Sequence, residues 1–218
     1  VMDDTDCISC KQCQKVCPIL TPLEPHEPKT AFAAWSCDEE ERRTSASGGV
    51  AAEVYKEALR EGYHIAGAKQ NEDFTVTLQV SDQKEAIEGF KNSKYVFSSA
   101  YTLYPEIKNL LKQGEKVLVI GLPCQIAALR RIFREHENLL LMEVVCHGTT
   151  PHSYLMQHIH ALEHKTGEKA VRMSFRDPEA YTYTFTFTLY NAENQRFYAQ
   201  RTKDGDTYQF GYHRTVTY

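Results

Sequence analysis

The sequence predicts an α/β fold: a mixed sheet with parallel βαβ units and a C-terminal antiparallel hairpin, preceded by a short cysteine-rich module. Three observations predict it. Strand, loop and helix signals follow one another twice between residues 116 and 165. An unbroken alternation of aromatic residues and threonines fills 181–189. Four of the seven cysteines fall between Cys7 and Cys17. The 218 residues can bury a sizeable core, and a composition 42% hydrophobic and 11% aromatic can build it. A charged fraction of 25% excludes a mainly disordered chain. The net charge of −4 offers no basic face, so a nucleic-acid partner is not expected. No apolar run reaches the roughly 18 residues of a membrane helix, and no secretory leader pattern opens the chain. The expectation is a cytoplasmic protein without a membrane partner. There, seven cysteines point to metal or redox chemistry rather than disulfides.

The first element is the cysteine run. Cys7-Ile-Ser-Cys10-Lys-Gln-Cys13-Gln-Lys-Val-Cys17-Pro18 has the spacing C-x2-C-x2-C-x3-C-P. This is the bacterial ferredoxin run, and it predicts a [4Fe–4S] site on Cys7, Cys10, Cys13 and Cys17. Thiolates two residues apart on a short loop can wrap a cubane cluster, and Pro18 bends the chain away. Zinc knuckles instead pair their cysteines in two separated sets. In two-cluster ferredoxins the fourth cysteine of one run ligates the other cluster, yet only one run occurs here. Either one cluster takes all four thiols, or the chain enters a two-cluster domain midway; the second reading is preferred. Residues 1–20 are therefore expected to form part of a ferredoxin-like module. Residues 21–30, within a stretch holding Pro18, Pro22, Pro25 and Pro28, read as a semi-rigid linker. An α/β domain is expected over 31–218, incomplete at its C-terminus because a Thr/Val/Tyr strand stops unfinished at Tyr218.

Within that domain, Ser45-Ala-Ser47-Gly48-Gly49 leads into an amphipathic helix over 50–59, with Ser47 or a neighbour as its cap. Small residues at a helix start suit an approaching anion, although neither standard nucleotide fingerprint is present. A helix near 104–113 ends at Gly114 and strand 116–120 follows. Gly121-Leu122-Pro123-Cys124 opens a helix to Arg134, and strand 139–145 ends at Cys146-His147-Gly148. A helix from about Ser153 to Lys165 comes next, with His160 and His164 on a solvated face. Ligands of parallel sheets bind beyond the carboxyl ends of strands, where Cys124 and Cys146 both fall. Cys37 has no such context and reads as packing. The hairpin 181–200 is expected to bury its aromatic face alone.

These residues resemble a known family, the beta subunit of coenzyme F-420 hydrogenases and dehydrogenases with its bacterial relatives. The carrying segments are the cysteine run, Phe32-Ala-Ala-Trp35, Arg43-Thr-Ser-Ala-Ser47-Gly48-Gly49, Ser93-Lys94-Tyr95-Val96, Gly121-Leu-Pro123-Cys124-Gln125, Val145-Cys146-His147-Gly148 and Phe175-Arg176-Asp177. The resemblance implies a flavoprotein carrying FAD and iron–sulfur clusters. By position it brings Ser47, Gly48 and Gly49 to the FAD, lays Lys94 and Tyr95 along it, and closes the pocket with Pro123 and Cys124. It also implies that Cys124 and Cys146 help hold a further cluster. The chain departs from the family in having one cysteine run, no later Cys-x-x-Cys, and Gly-Leu-Pro-Cys where Gly-Thr-Pro-Cys is usual.

The expected function is an oxidoreductase passing electrons between [4Fe–4S] cluster and FAD. Hydride is exchanged with an organic acceptor or donor such as a deazaflavin, coenzyme F-420. The expected partner is ferredoxin or a redox subunit. Lys94 and His147 are the candidate catalytic residues. The alternatives are a cluster-holding electron-transfer or assembly subunit with no turnover of its own, and a zinc-stabilised structural protein.

Overall fold

The computed structural model describes residues 7–24, 27–180, 185–206 and 208. Its centre is a five-stranded sheet in the order β3-β2-β1-β4-β5, built from β1 (Tyr63–Gln70), β2 (Val76–Ser81), β3 (Ser98–Ser99), β4 (Lys116–Gly121) and β5 (Leu139–Glu143). Strand β1 pairs antiparallel with β2 and parallel with β4, and β4 pairs parallel with β5. The register of the last pair sets Val117 beside Leu139 and Gly121 beside Glu143. The run Val117-Leu-Val-Ile120 is apolar without alternation because helices cover both of its faces. On one face, α3 (Val50–Arg60) and α4 (Ala86–Phe90) bury Tyr55, Ile87 and Phe90 against Ile65, Leu118 and Ile120. On the other, α5 (Leu103–Lys112) and α6 (Pro123–Phe133) bury Leu103, Ile107, Ile126 and Leu129 against Ala66, Val117 and Val119. The predicted βαβ unit is β4-α6-β5.

Two ends of this framework are set by single residues. Gly114 adopts φ +81 after α5 and turns the chain into β4. Pro123 occupies the first turn of α6, where its missing N–H leaves no hydrogen bond unmade.

A helix α7 (His152–Thr166) buries the stripe Leu155, Ile159 and Leu162 and ends on Gly167. It does not return to the first sheet as the second strand–loop–helix signal suggested. It leads instead to a three-stranded antiparallel sheet of β6 (Arg172–Ser174), β7 (Thr186–Tyr190) and β8 (Arg196–Arg201). The predicted hairpin is β7-β8, turned at Asn191, whose side-chain carbonyl accepts from Gln195 N–H at 2.9 Å. Its expected one-sided burial is corrected. Thr186 and Thr188 are buried along with Phe187 and Leu189, because β7 is the central strand and both of its faces are covered. Residues 181–184, where the alternation begins, and the strand at Tyr218 lie outside the described residues. His160 and His164 are exposed or nearly so, and His158 turns inward, 3.2 Å from the carboxylate of buried Asp206. Among the described residues no helix is long and apolar enough to cross a membrane.

The cysteine run forms a loop and one short helical turn, α1 (Gln12–Val16), lying against α6. Thr21 Oγ1 donates to the carbonyls of Lys15 and Cys17, and Arg131 donates to Pro22 O at 2.8 Å, which fastens the segment to α6. Helix α2 (Glu39–Thr44), capped by Asp38, precedes the turn into α3.

Candidate functional site at the carboxyl edge of the sheet

Helix α3 runs into β1 through a two-residue turn, so its start stands at the carboxyl edge of β1 and β4. The corner there is a left-handed turn. Ser47, Gly48 and Gly49 have φ of 55, 88 and 80. The helix cap is Gly49, with no side-chain hydrogen bond, so Ser47 does not cap α3. A Cβ at Gly48 would sit 3.2 Å from Trp35 Cβ, which explains the glycine. Beneath the corner, Glu41 accepts from Ser45 Oγ (2.6 Å), Lys56 Nζ (2.8 Å) and Lys91 Nζ (3.0 Å). Burial raises the Glu41 pKa, but these donors outweigh it and hold it at about 2.

Segment 91–98 ties the remaining motifs together. Asn92 accepts from Ala46 N–H at 2.6 Å and donates to Thr44 O at 3.0 Å, clamping the corner. The Tyr95 ring lies 5.6 Å from Phe175 and 6.4 Å from Phe185, and its carbonyl accepts from Tyr208. Phe97 N–H donates to Thr150 O, which anchors the loop after β5. Ser98 accepts from Gln125, whose Oε1 accepts from Leu122 N–H and so fixes the Pro123–Cys124 loop. Arg43, from the α2 side, reaches Pro178 O at 3.5 Å. Asn92 and Gln125 carry these links; Asn92 was not singled out from sequence, and Gln125 entered only as the end of the Gly121–Gln125 segment. The one available signal for Asn92 was an asparagine in the polar run Lys91-Asn92-Ser93-Lys94, since asparagine tolerates the left-handed φ of 70 found there.

The named residues are thus placed as follows. Ser47 is exposed at the corner, and Gly49 is buried. Lys94 Nζ donates to the carbonyls of Gly89, Phe90 and Lys91 at 2.7–3.1 Å, closing the end of α4, and burial pushes its pKa down to about 7. Tyr95 is part of an aromatic core. Cys124 is exposed at the start of α6. Burial and the neighbouring Cys146 raise its pKa, against the N–H groups of Gln125 and of Cys124 itself. The two thiols follow adjacent, parallel strands, β4 and β5. Cys146 accepts from Gly148 N–H at 3.3 Å, and His147 is exposed beside it. Cys37 is exposed, contrary to its expected packing, because buried Ser36 takes the inward position.

Cys7, Cys10 and Cys13 are exposed and Cys17 is partly so. Among the described residues no three Cys, His, Asp or Glu side chains already form a metal-ligand group. The donor set nevertheless fits an iron–sulfur cluster: four soft thiols, none engaged in a disulfide, on a short loop. A separate cleft, lined by Leu23, Glu24, Arg130, Arg134, Leu139 and Leu141, opens at the amino end of β5, the opposite edge of the sheet.

Comparison with known proteins agrees with this architecture. Among curated proteins no match is found. A solved structure titled as the xenon derivatization of the F420-reducing [NiFe] hydrogenase complex from Methanosarcina barkeri contains a chain of similar fold. Its TM-score is 0.53 at 18% identity, covering 78% of this chain and 59% of that one. This protein thus spans less than two thirds of that chain's length. Residues 114–211 match the family described as the C terminus of the coenzyme F420 hydrogenase/dehydrogenase beta subunit. That match runs from β4 through the second sheet, so this part of the chain is similar to the C terminus of the coenzyme F420 hydrogenase/dehydrogenase beta subunit.

Proposed function

We propose that the chain is an iron–sulfur flavoprotein of the oxidoreductase class. In this reading it passes electrons between a [4Fe–4S] cluster and FAD, and exchanges hydride with an organic partner such as a deazaflavin. The observation that carries the reading is the convergence at one sheet edge of the Ser47–Gly49 corner, segment 91–98 and the Cys124/Cys146 pair. Such an edge is where open α/β sheets bind ligands. Cys7, Cys10, Cys13 and Cys17 would hold the cluster, and Cys124 and Cys146 would contribute to a further one. The corner, Tyr95 and the Pro123–Cys124 loop would face the flavin. When bound, the flavin supplies the conversion between single-electron and hydride transfer. The chain's own residues supply position. Asn92 and the Glu41 network hold the corner rigid, and Gln125 holds the thiol-bearing loop. Lys94 is assigned to structure rather than proton transfer, because its three donors are already used by carbonyls. His147 remains the candidate proton donor. Ferredoxin or a redox subunit would complete the path, in a cytoplasmic setting that keeps the thiols reduced.

A second reading is a cluster-holding electron-transfer subunit without turnover. It is favoured by the absence, among the described residues of this edge, of a buried acid or base left free to act. Anaerobic purification with iron, sulfide and flavin analysis separates the two. The first reading expects iron, sulfide and bound flavin together, with iron lost in Cys13→Ser and flavin retained. Iron without flavin selects the second. A preparation that takes up neither after reconstitution overturns both.

A further inference from the structure

The geometry points to Trp35 as a stacking residue that covers a flat heteroaromatic ring of the bound flavin dinucleotide. This rests on the flavin reading above. Trp35 is the chain's single tryptophan, and 60% of its surface is exposed. Among the described residues its indole contacts no other aromatic ring. Its backbone is nevertheless fixed against the corner. Ser36 N–H donates to Gly48 O at 2.8 Å, and the Trp35 Cβ is the atom that a side chain at Gly48 would strike. Ser36 is itself pinned: it is buried, its hydroxyl donates to Glu53 at 2.8 Å, and that oxygen accepts from Asp38 N–H. The indole thus stands largely in solvent on a rigid base, beside a left-handed corner of which Ser47 is exposed and Gly48 half-buried.

An indole offers a large flat face and loses little freedom on ordering, because only two side-chain torsions are fixed. Isolated exposed apolar residues are ordinary. Phe32 is one of these: it is 87% exposed, and no hydrogen bond ties its backbone to the corner. It therefore serves as the control for exposed aromatic surface.

The test titrates the flavin-free full chain with FAD, read by flavin fluorescence anisotropy. Riboflavin, read in the same way, and AMP, read by its displacement of FAD, serve as separate probes of the two rings. Trp35→Leu keeps apolar bulk without the ring system and is expected to weaken FAD binding about 10-fold, the scale of one stacked ring. Trp35→Phe is expected to stay within about 3-fold of the parent, and Phe32→Leu to leave binding unchanged. Whichever small probe weakens in parallel in Trp35→Leu names the ring that is covered. Unchanged FAD affinity in Trp35→Leu, with the parent chain binding FAD, overturns the stacking role and leaves the flavin reading intact. A folded parent chain that binds neither FAD nor riboflavin overturns the flavin reading, and this inference with it.

Discussion

Glu41 decides the electrostatics of the corner. Its carboxylate is nearly buried and accepts from two lysines and a serine, so the folded state prefers it charged. The ordinary value of 4.5 falls to about 2. Because the folded pKa is depressed, the stabilisation is fully present above pH 4.5 and is lost as pH falls toward 2. Integrated over that shift it amounts to about 3 kcal/mol. Glu41→Gln removes it and leaves Lys91, 6% exposed, with Glu88 and Thr44 as its remaining partners. The expected result is a denaturation midpoint well below the parent's at pH 7, with the gap closing between pH 4.5 and 2. A gap that stays constant over that window would show that Glu41 acts through packing instead. None of this network was legible in the sequence. Glu41, Ser45, Lys56 and Lys91 are scattered over about fifty residues, and only the packing of α2, α3 and α4 brings them together.

The readable elements each carry their own period or punctuation. The Leu103, Ile107, Leu111 stripe with Gly114 marks α5, and the unbroken Val117–Ile120 run marks a strand covered on both sides. The expected elements did not include α2, β1, β2, α4, β3 or β6, and β1 is the one that local patterns could least supply. Tyr63-His-Ile-Ala-Gly-Ala is poor in branched residues, yet it is an inner strand pairing with β2 and β4. The reason is close packing: α3 and α4 press on β1 at Gly67. A Cβ there would fall on the Tyr55 hydroxyl and 2.9 Å from Phe90 Cβ, and Tyr55 is held in place by its hydrogen bond to Ala66 O. Gly67→Ala is therefore expected to destabilise by about 2 kcal/mol, the scale of overpacking in a filled core. Urea unfolding checks this, and Tyr55→Phe in the same background should recover part of the loss by removing the oxygen. An unchanged midpoint would mean that α3 shifts freely on the sheet.

At the scale of the whole molecule, the site depends on topology that no single segment encodes. The thiols Cys124 and Cys146 could be foreseen at neighbouring strand ends because one βαβ unit sets both. The approach of residues 43–49, 91–98 and 175–178 to that edge could not, because it follows from how the second sheet joins the first. That join is a shared core. Val76 of β2 and Val96 lie in one apolar cluster with Leu155 and Ile159 of α7 and Phe175, Phe187 and Leu189 of the second sheet. Phe187 is fully buried at its centre, with ring centroids 5.4 Å from Phe175, 5.6 Å from His158 and 6.2 Å from Tyr198. If the two sheets fold as one unit, removing this ring must weaken both. Phe187→Ala is expected to cost about 4 kcal/mol, as for a large aromatic cut from a packed core. Far-UV circular dichroism follows both sheets, while emission of the single tryptophan, Trp35, follows the corner on the first. The two traces should move together to one lower midpoint. A dichroism change that precedes an unshifted tryptophan transition would mean that the sheets unfold separately, and that the site edge holds its shape without the second sheet.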